Sequence, residues 1–281
     1  MIEAAIRLSG LLIIAFVLLI FLFLLGNALG FFRIYPVGKF VTGIKWLPVS
    51  EPPTFGMIPL LLGSIYVTIG AIVICVPIGV AAAMYIGEVA PGWLRHVLKS
   101  LVEILAAIPS VVLGFIGIVW LGPFLKTEFG LSTGMCGLTG SLLLAFMAMP
   151  TIISISEDAL ASVPKTFKEA AYGLGATKWQ ALWRIVLPSA SSGIIAGVML
   201  GIGRVIGETM VVLMVTGNSP VIPHSILQPL RTLTATIAGE MGETVSGSDH
   251  YLALFAVGLV LFVITFIINF FADISLRRAR R

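Results

Sequence analysis

Five stretches of this chain carry no Asp, Glu, Lys or Arg at all: residues 8–32, 52–87, 104–125, 129–156 and 251–272, which are 25, 36, 22, 28 and 22 residues long. About 20 residues of α-helix cross the hydrocarbon core of a bilayer, so each run can hold one span. A sixth apolar stretch, 189–216, contains two charges, Arg204 and Glu208. Only 11% of the residues are charged and 58% are hydrophobic, against roughly 25% charged in soluble domains. Such a chain cannot cover its surface with polar groups, so its solvent is lipid. The expected fold is an all-α membrane protein of six transmembrane helices. The first run exceeds the roughly 7 to 15 residues of a signal-peptide core and no cleavage site follows it, so it reads as a retained first helix.

Orientation follows from the basic residues of the connections. Arg7, Arg95, Lys99, Lys165, Lys168, Lys178, Arg184, Arg277, Arg278, Arg280 and Arg281 share one side, against Arg33, Lys39, Lys45, Lys126 and Arg231 on the other. The richer side is expected to be cytoplasmic, with both termini on it. The net charge of +4 then needs no nucleic acid. The C-terminal arginines are expected to stop the last helix and meet anionic head groups.

Pro77 and Pro109 fall inside the expected second and third spans, where proline kinks a helix and frees backbone carbonyls. The outer segment around Trp46 is rich in Pro and Gly and reads as an ordered connection near the head groups. In the other long outer segment, 217–250, Leu227, Leu230, Leu233 and Ile237 recur at 3, 3 and 4 residues. That spacing predicts a short helix lying on or dipping into the outer face. No phosphate-binding loop, zinc-protease helix or metal-spaced Cys/His cluster is present. Cys75 and Cys136 both lie in apolar stretches and read as inert thiols. His96, His224 and His250 stand isolated at span ends or in connections and read as solvated.

The oily sequence is interrupted at 169–188 by "EAAYGLGATKWQALWRIVLP". Thr166 and Glu169 match a capping box, which predicts a helix start near Phe167. Gly173 and Gly175 offer left-handed positions that would end that helix. Thr177 and Gln180 form a second box, and Trp179, Leu182, Trp183 and Val186 then follow with helical period. Pro188 interrupts the pattern before the membrane resumes. Two short helices joined by a glycine turn admit three readings: an interfacial helix with its tryptophans among head groups, a DNA-binding helix-turn-helix, or a knob that docks a cytoplasmic partner. Direct attachment to membrane spans at both ends counts against DNA.

Glu169-Ala170-Ala171, three residues, Gly175, nine residues, Ile185, one residue and Leu187-Pro188 match the EAA loop of binding-protein-dependent ABC importers at every diagnostic spacing. The chain resembles that family from about Phe55 onward. Within it, "GEVAPGWLRHVLKSLVEILAAIPSVVLGFIG" and "GRVIGETM" are similar to the PstC-type permease subunits of phosphate-specific importers. The resemblance implies a type I ABC importer permease fold: one transmembrane domain over 1–281, with cytoplasmic coupling helices in 158–188. It implies that Glu169, Ala170, Ala171, Gly175, Trp179, Ile185, Leu187 and Pro188 seat against a separate ATPase chain. The missing phosphate-binding loop fits: ATP is bound by the partner, and this chain is no enzyme and carries no cofactor. The implied partners are a PstA-type second permease in a heterodimer, two PstB-type ATPase subunits, a PstS-type extracytoplasmic phosphate-binding protein, inorganic phosphate and membrane lipids, with no nucleic acid.

Arg204 and Glu208 lie deep in the expected fifth span, four residues apart and so on one helical face. A charge in hydrocarbon costs roughly 2.5 to 3.5 kcal/mol on insertion scales, which directs both residues to the bundle interior or a water-filled path. Either they neutralise one another, or they border a substrate path with Thr209. The Arg fork matches an oxyanion and stays charged when buried. Glu208 would repel phosphate; it holds Arg204 in place, weakens anion binding, or pairs with a base on the partner. The rivals are a PstA-type subunit, a permease for molybdate or sulfate, an ion-coupled carrier, and a membrane-embedded enzyme. The EAA spacing argues against the carrier, and the spans hold no catalytic set for the enzyme.

Overall fold

The computed structural model describes residues 2–279, with side-chain surroundings given at residue 3 and from 6 to 270. Arg280 and Arg281 lie outside the described residues, and the head-group contacts expected of Arg277 and Arg278 fall outside the described side chains. Among the described residues six helical segments are long and apolar enough to cross a membrane: Ile6–Ile34, Ile58–Val89, Ser110–Phe129, Gly137–Ala161, Lys178–Gly207 and Asp249–Phe270.

Helix α1 (Ile2–Ile34) leads to a short α2 (Val37–Thr42) and a hairpin of β1 (Trp46–Leu47) and β2 (Thr54–Phe55). Helix α3 (Ile58–Met84) forms span two and ends in a π-turn, Tyr85–Val89. Helix α4 (Gly92–Ala107) is separate from span three, which is built from α5 (Ser110–Ile116), a π-turn at Gly117–Leu121 and α6 (Gly122–Phe129). Pro109 therefore does not kink a span. It is the N-cap of α5 at φ −61° and ψ 138°, and the extended backbone at Ile108 separates α4 from the membrane, as expected of the residue before a proline. Spans four, five and six are α7 (Gly137–Ala161), the run ending in α10 (Leu187–Gly207), and α13 (Asp249–Ala279). Between α7 and α10 lie α8 (Lys165–Gly173) and α9 (Lys178–Ala181); α11 (Met210–Val215) and α12 (Leu233–Glu240) follow α10.

α7 packs against both α3 and α10 and forms the centre of the bundle. The approach is set by glycine. A β-carbon at Gly79 of α3 would lie 3.0 Å from Ile152 Cγ2, and one at Gly201 of α10 would lie 2.6 Å from Ile152 Cγ1. Ile152, fully buried, thus occupies the space that two missing side chains leave, which is how small residues bring helices together in lipid. Helix α1 lies mainly on α13 at the periphery, with Phe21 on Phe262 and Phe23 on Phe255.

The end of the bundle opposite the α8–α9 hairpin is closed by its own loops. Phe31, Phe40, Trp46 and Phe55 form a buried aromatic cluster. Trp46 is therefore interior rather than among head groups, and its indole N–H donates to Glu240 Oε2 at 3.1 Å. The helix expected across Leu227–Ile237 is shorter. Leu227 lies in a turn, Leu230 N–H donates to the Thr216 carbonyl at 2.9 Å in a β-bridge, and α12 starts only after Thr232, whose Oγ1 caps it by accepting from Ala235 N–H at 3.1 Å. Leu230 and Leu233 are buried, and Leu233 N–H donates to Ser64 Oγ of span two. Of the two placements expected for this segment, the structure shows the one that dips into the bundle.

Candidate functional site

The hairpin is built from local signals, not all of them the expected ones. α8 starts at Lys165 with Pro164 as N-cap and no side-chain cap. Proline at the cap has its φ fixed for helix entry, so the helix begins two residues early and Thr166 and Glu169 are already inside it, where their box does not form. Gly173 stays helical, and the turn is made by Gly175 at φ +85°. The second box does form: Gln180 N–H donates to Thr177 Oγ1 at 3.2 Å and Thr177 N–H to Gln180 Oε1 at 2.9 Å. From there the helix runs without a break into span five. Leu187 N–H reaches back to the Leu182 carbonyl in the π-turn Leu182–Val186, and Pro188 sits in the first turn of α10. The widened turn absorbs the proline, so Pro188 does not interrupt the helix as its sequence position suggested.

The hairpin has two faces. Ala171, Ala181, Leu182 and Val186 are buried against the bundle. Phe167, Tyr172, Leu174, Trp179 and Trp183 point out, with Leu174 90% and Trp179 60% exposed. The single apolar stripe expected over Trp179–Val186 therefore splits: its aliphatic half is interior and its two indoles meet edge to face at 5.7 Å on the outside. Glu169, Ala170, Gly175 and Pro188 are exposed, and Ile185 and Leu187 are half-buried.

Ion pairs that sequence reasoning missed fasten this end of the molecule. Lys168 Nζ of α8 donates to Glu88 Oε1 and Oε2 at 2.6 and 2.7 Å. Lys99 Nζ of α4 donates to Glu157 Oε2 at 2.7 Å and Asp158 Oδ1 at 3.3 Å. The hydrogen bond that it donates to Glu157 holds the Lys99 ammonium above its ordinary pKa against the opposing cost of desolvation. Arg95 donates to the Ile86 carbonyl at 2.8 Å and to that of Gly87. The signal was available: Glu88 and Glu157 are the first charges after the uncharged runs 52–87 and 129–156, on the same side as the basic loops.

The fifth span differs from expectation where it matters. α10 ends at Gly207, Glu208 is extended at ψ 133°, and α11 begins at Met210. A break replaces the continuous helix, so Arg204 and Glu208 do not share a face or pair. Glu208 Oε1 instead accepts from the N–H groups of Met210 at 3.0 Å and Val211 at 3.3 Å, satisfying free donors at the start of α11. Thr234 Oγ1 of α12 donates to the Glu208 carbonyl at 2.8 Å. Arg204 is exposed, with Nη1 3.3 Å from Thr151 Oγ1. Ser64, Thr68, Glu208, Thr232 and Thr234 line a cavity of about 10 Å³ beside the break, room for one water at most. At the opposite end, Glu240 accepts from Trp46, Arg231 and His250, the last with Nε2 at 2.8 Å. His250 is thus engaged, not isolated as its sequence context implied.

With this geometry in view, the family described as "Binding-protein-dependent transport system inner membrane component" matches residues 75–281. The chain belongs to that family. This permease is 42% identical to the Bacillus subtilis protein named "Probable ABC transporter permease protein YqgH" over 229 residues, which is 82% of this chain and 74% of that protein. It is 39% identical to "Phosphate transport system permease protein PstC" of Mesorhizobium japonicum over 259 residues, 85% of this chain and 78% of that one. Among solved structures, the permease fold is similar to a chain of a bacterial alginate ABC transporter, with TM-score 0.67 over 96% of this chain and 93% of that one at 19% identity. It is also similar to a chain of the MetNI methionine ABC transporter, with TM-score 0.58 over 80% and 95% at 22% identity. The fold is that of type I ABC importer permeases, and the permease is a multi-pass inner-membrane protein.

Proposed function

We propose that this chain is the PstC-type membrane subunit of an ATP-driven importer that moves inorganic phosphate into the cytoplasm. The observation that carries the reading is the two-faced hairpin. A loop that exposes Phe167, Tyr172, Leu174, Trp179 and Trp183 while Ala171, Ala181, Leu182 and Val186 pack inward is an interface awaiting a partner. The 39% identity to proteins named as phosphate permeases supports the substrate.

In this reading 1–281 is one permease domain, and 158–188 is the coupling segment on the cytoplasmic side, as are both termini. Glu169, Ala170, Ala171, Gly175, Trp179, Ile185, Leu187 and Pro188 belong to the seat of the ATPase, and ATP is hydrolysed on that separate chain. A PstA-type permease completes the pathway as a heterodimer, two PstB-type subunits drive it and a PstS-type protein delivers phosphate. Arg204, exposed on this subunit, contacts phosphate, offering a planar fork that lysine lacks. Glu208 and Thr209 act at the break. Glu208 positions α11 as its cap, and with its carboxylate turned to backbone N–H groups it presents less charge to a passing anion.

The test is phosphate uptake by liposomes carrying this chain with the second permease, the ATPase and the binding protein. Uptake that requires ATP and all four components supports the reading. Preferential uptake of sulfate or molybdate, or uptake by this chain alone under an ion gradient, contradicts it.

A further inference from the structure

The hairpin is joined covalently to span four through 162–164 and to span five through the π-turn Leu182–Val186. The chain gives it no covalent link to span two, against which Leu182 and Val186 pack only through apolar contacts with Ala83, Met84 and Ile86. Glu88 supplies a polar link. It lies in the π-turn that ends span two, and both its carboxylate oxygens accept from Lys168 Nζ in α8. The pair is largely withdrawn from water, with side-chain exposures of 22% for Lys168 and 14% for Glu88, so screening by salt is weak. The turn that carries Glu88 is itself held: Arg95 of α4 donates to the carbonyls of Ile86 and Gly87, and Ala90 N–H to that of Tyr85 at 2.8 Å. A charge-assisted contact from an anchored carboxylate to the middle of α8 is a directional, stiff connection between two elements otherwise joined only by apolar packing.

We propose that Glu88 and Lys168 are positioning residues that couple movement of the hairpin to span two. The inference rests on the importer reading and extends it: the motor would move spans four and five through the backbone and span two through this ion pair. Severing it leaves the hairpin free to follow the ATPase while span two lags behind. ATP is then spent without import.

The experiment uses the complete complex in liposomes, reading ATP hydrolysed per phosphate imported together with the amount of ATPase that co-purifies. Lys168→Met and Glu88→Gln should each raise that ratio about tenfold, with ATPase capture unchanged, and the exchanged pair Glu88→Lys/Lys168→Glu should return it to within about threefold of wild type. Recovery in the exchanged pair excludes simple misfolding of the single variants. A wild-type ratio in both single variants overturns the proposal. So does an exchanged pair no better than either single variant, or a loss of ATPase capture that matches the loss of transport, which would make the pair part of the docking surface. Absence of phosphate uptake by the unaltered complex is a different failure: it removes the importer reading itself, before any variant is compared.

Discussion

The two ends of the bundle are both rich in aromatic residues and treat them in opposite ways. At the loop-closed end Phe31, Phe40, Trp46 and Phe55 are at most 2% exposed, whereas at the hairpin end Trp179 is 60% exposed and Phe167 49%. The first set stacks on itself, Phe31 against Tyr35, Phe40 and Phe55, and the indole N–H of Trp46 has a carboxylate. In the second set Trp179 and Trp183 meet each other at the rim of a cavity shared with Pro77, Val80 and Met84, and about half or more of each indole and of Leu174 is left uncovered. One end is finished by folding, and the other, in the proposed importer, would be finished by a partner.

This contrast predicts effects of different kinds. The largest on stability belongs to the closed end: Trp46→Ala should cost about 3 to 5 kcal/mol, the usual range for deleting a buried aromatic, and lower the unfolding midpoint in detergent. Trp179→Ala should shift that midpoint little, within about 0.5 kcal/mol for an exposed site. Yet it should weaken ATPase capture by about 2 kcal/mol, as a central interface aromatic does. If the two substitutions destabilise the isolated chain equally, the contrast between the ends is false.

Smaller effects sharpen the picture of the hairpin and the break. Gly175→Val forces a β-branched residue into φ +85°, at about 1 to 2 kcal/mol. It should reduce the ratio of import to hydrolysis without lowering membrane abundance. Glu208→Ala removes the cap of α11 and should cost about 1 kcal/mol. Arg204→Lys should lower uptake with no change in stability, because among the described residues no carboxylate pairs with Arg204. If instead Arg204→Met loses transport and the Arg204→Met/Glu208→Gln double variant regains it, the two charges are a structural couple despite the break, and the phosphate role assigned to Arg204 is wrong.

The break shows where sequence reasoning stops. Six spans and the Thr177–Gln180 cap were legible because they depend on local composition and on residues three apart. The interruption at Glu208 was not, because its cause is remote: Thr234 of α12 holds the Glu208 carbonyl from 26 residues away. Pro188 misled for a related reason. A proline normally ends a helix, and only the π-turn before it, packed by Leu182 and Val186 into the bundle, lets the helix continue. Pro109 was read as a kink because the run 104–125 carries no charge, although 104–107 completes α4, a helix that carries Arg95, Lys99 and Glu103. The Glu240 cluster gathers Trp46, Arg231 and His250 from three separate segments and has no sequence pattern to reveal it.

The smallest expected effect is on pH. Lys99 has a raised pKa in the folded chain. Its contribution is therefore fully present below the ordinary lysine value of about 10.4 and is lost only as pH rises through the higher folded value. The difference in unfolding midpoint between wild type and Lys99→Met should stay constant from about pH 6 to 9. A difference that vanishes within that window would mean that the Lys99 contact with Glu157 does not persist in the membrane.

The central claim, that the outward face of the hairpin is the cytoplasmic seat of the ATPase, is tested most directly by labelling Leu174→Cys. The two native cysteines are buried and leave a low background. In inside-out vesicles lacking the ATPase, a membrane-impermeant maleimide should label Cys at this position readily, and added ATPase should protect it. Labelling that is unaffected by the ATPase, or that occurs only in right-side-out vesicles, would contradict the account.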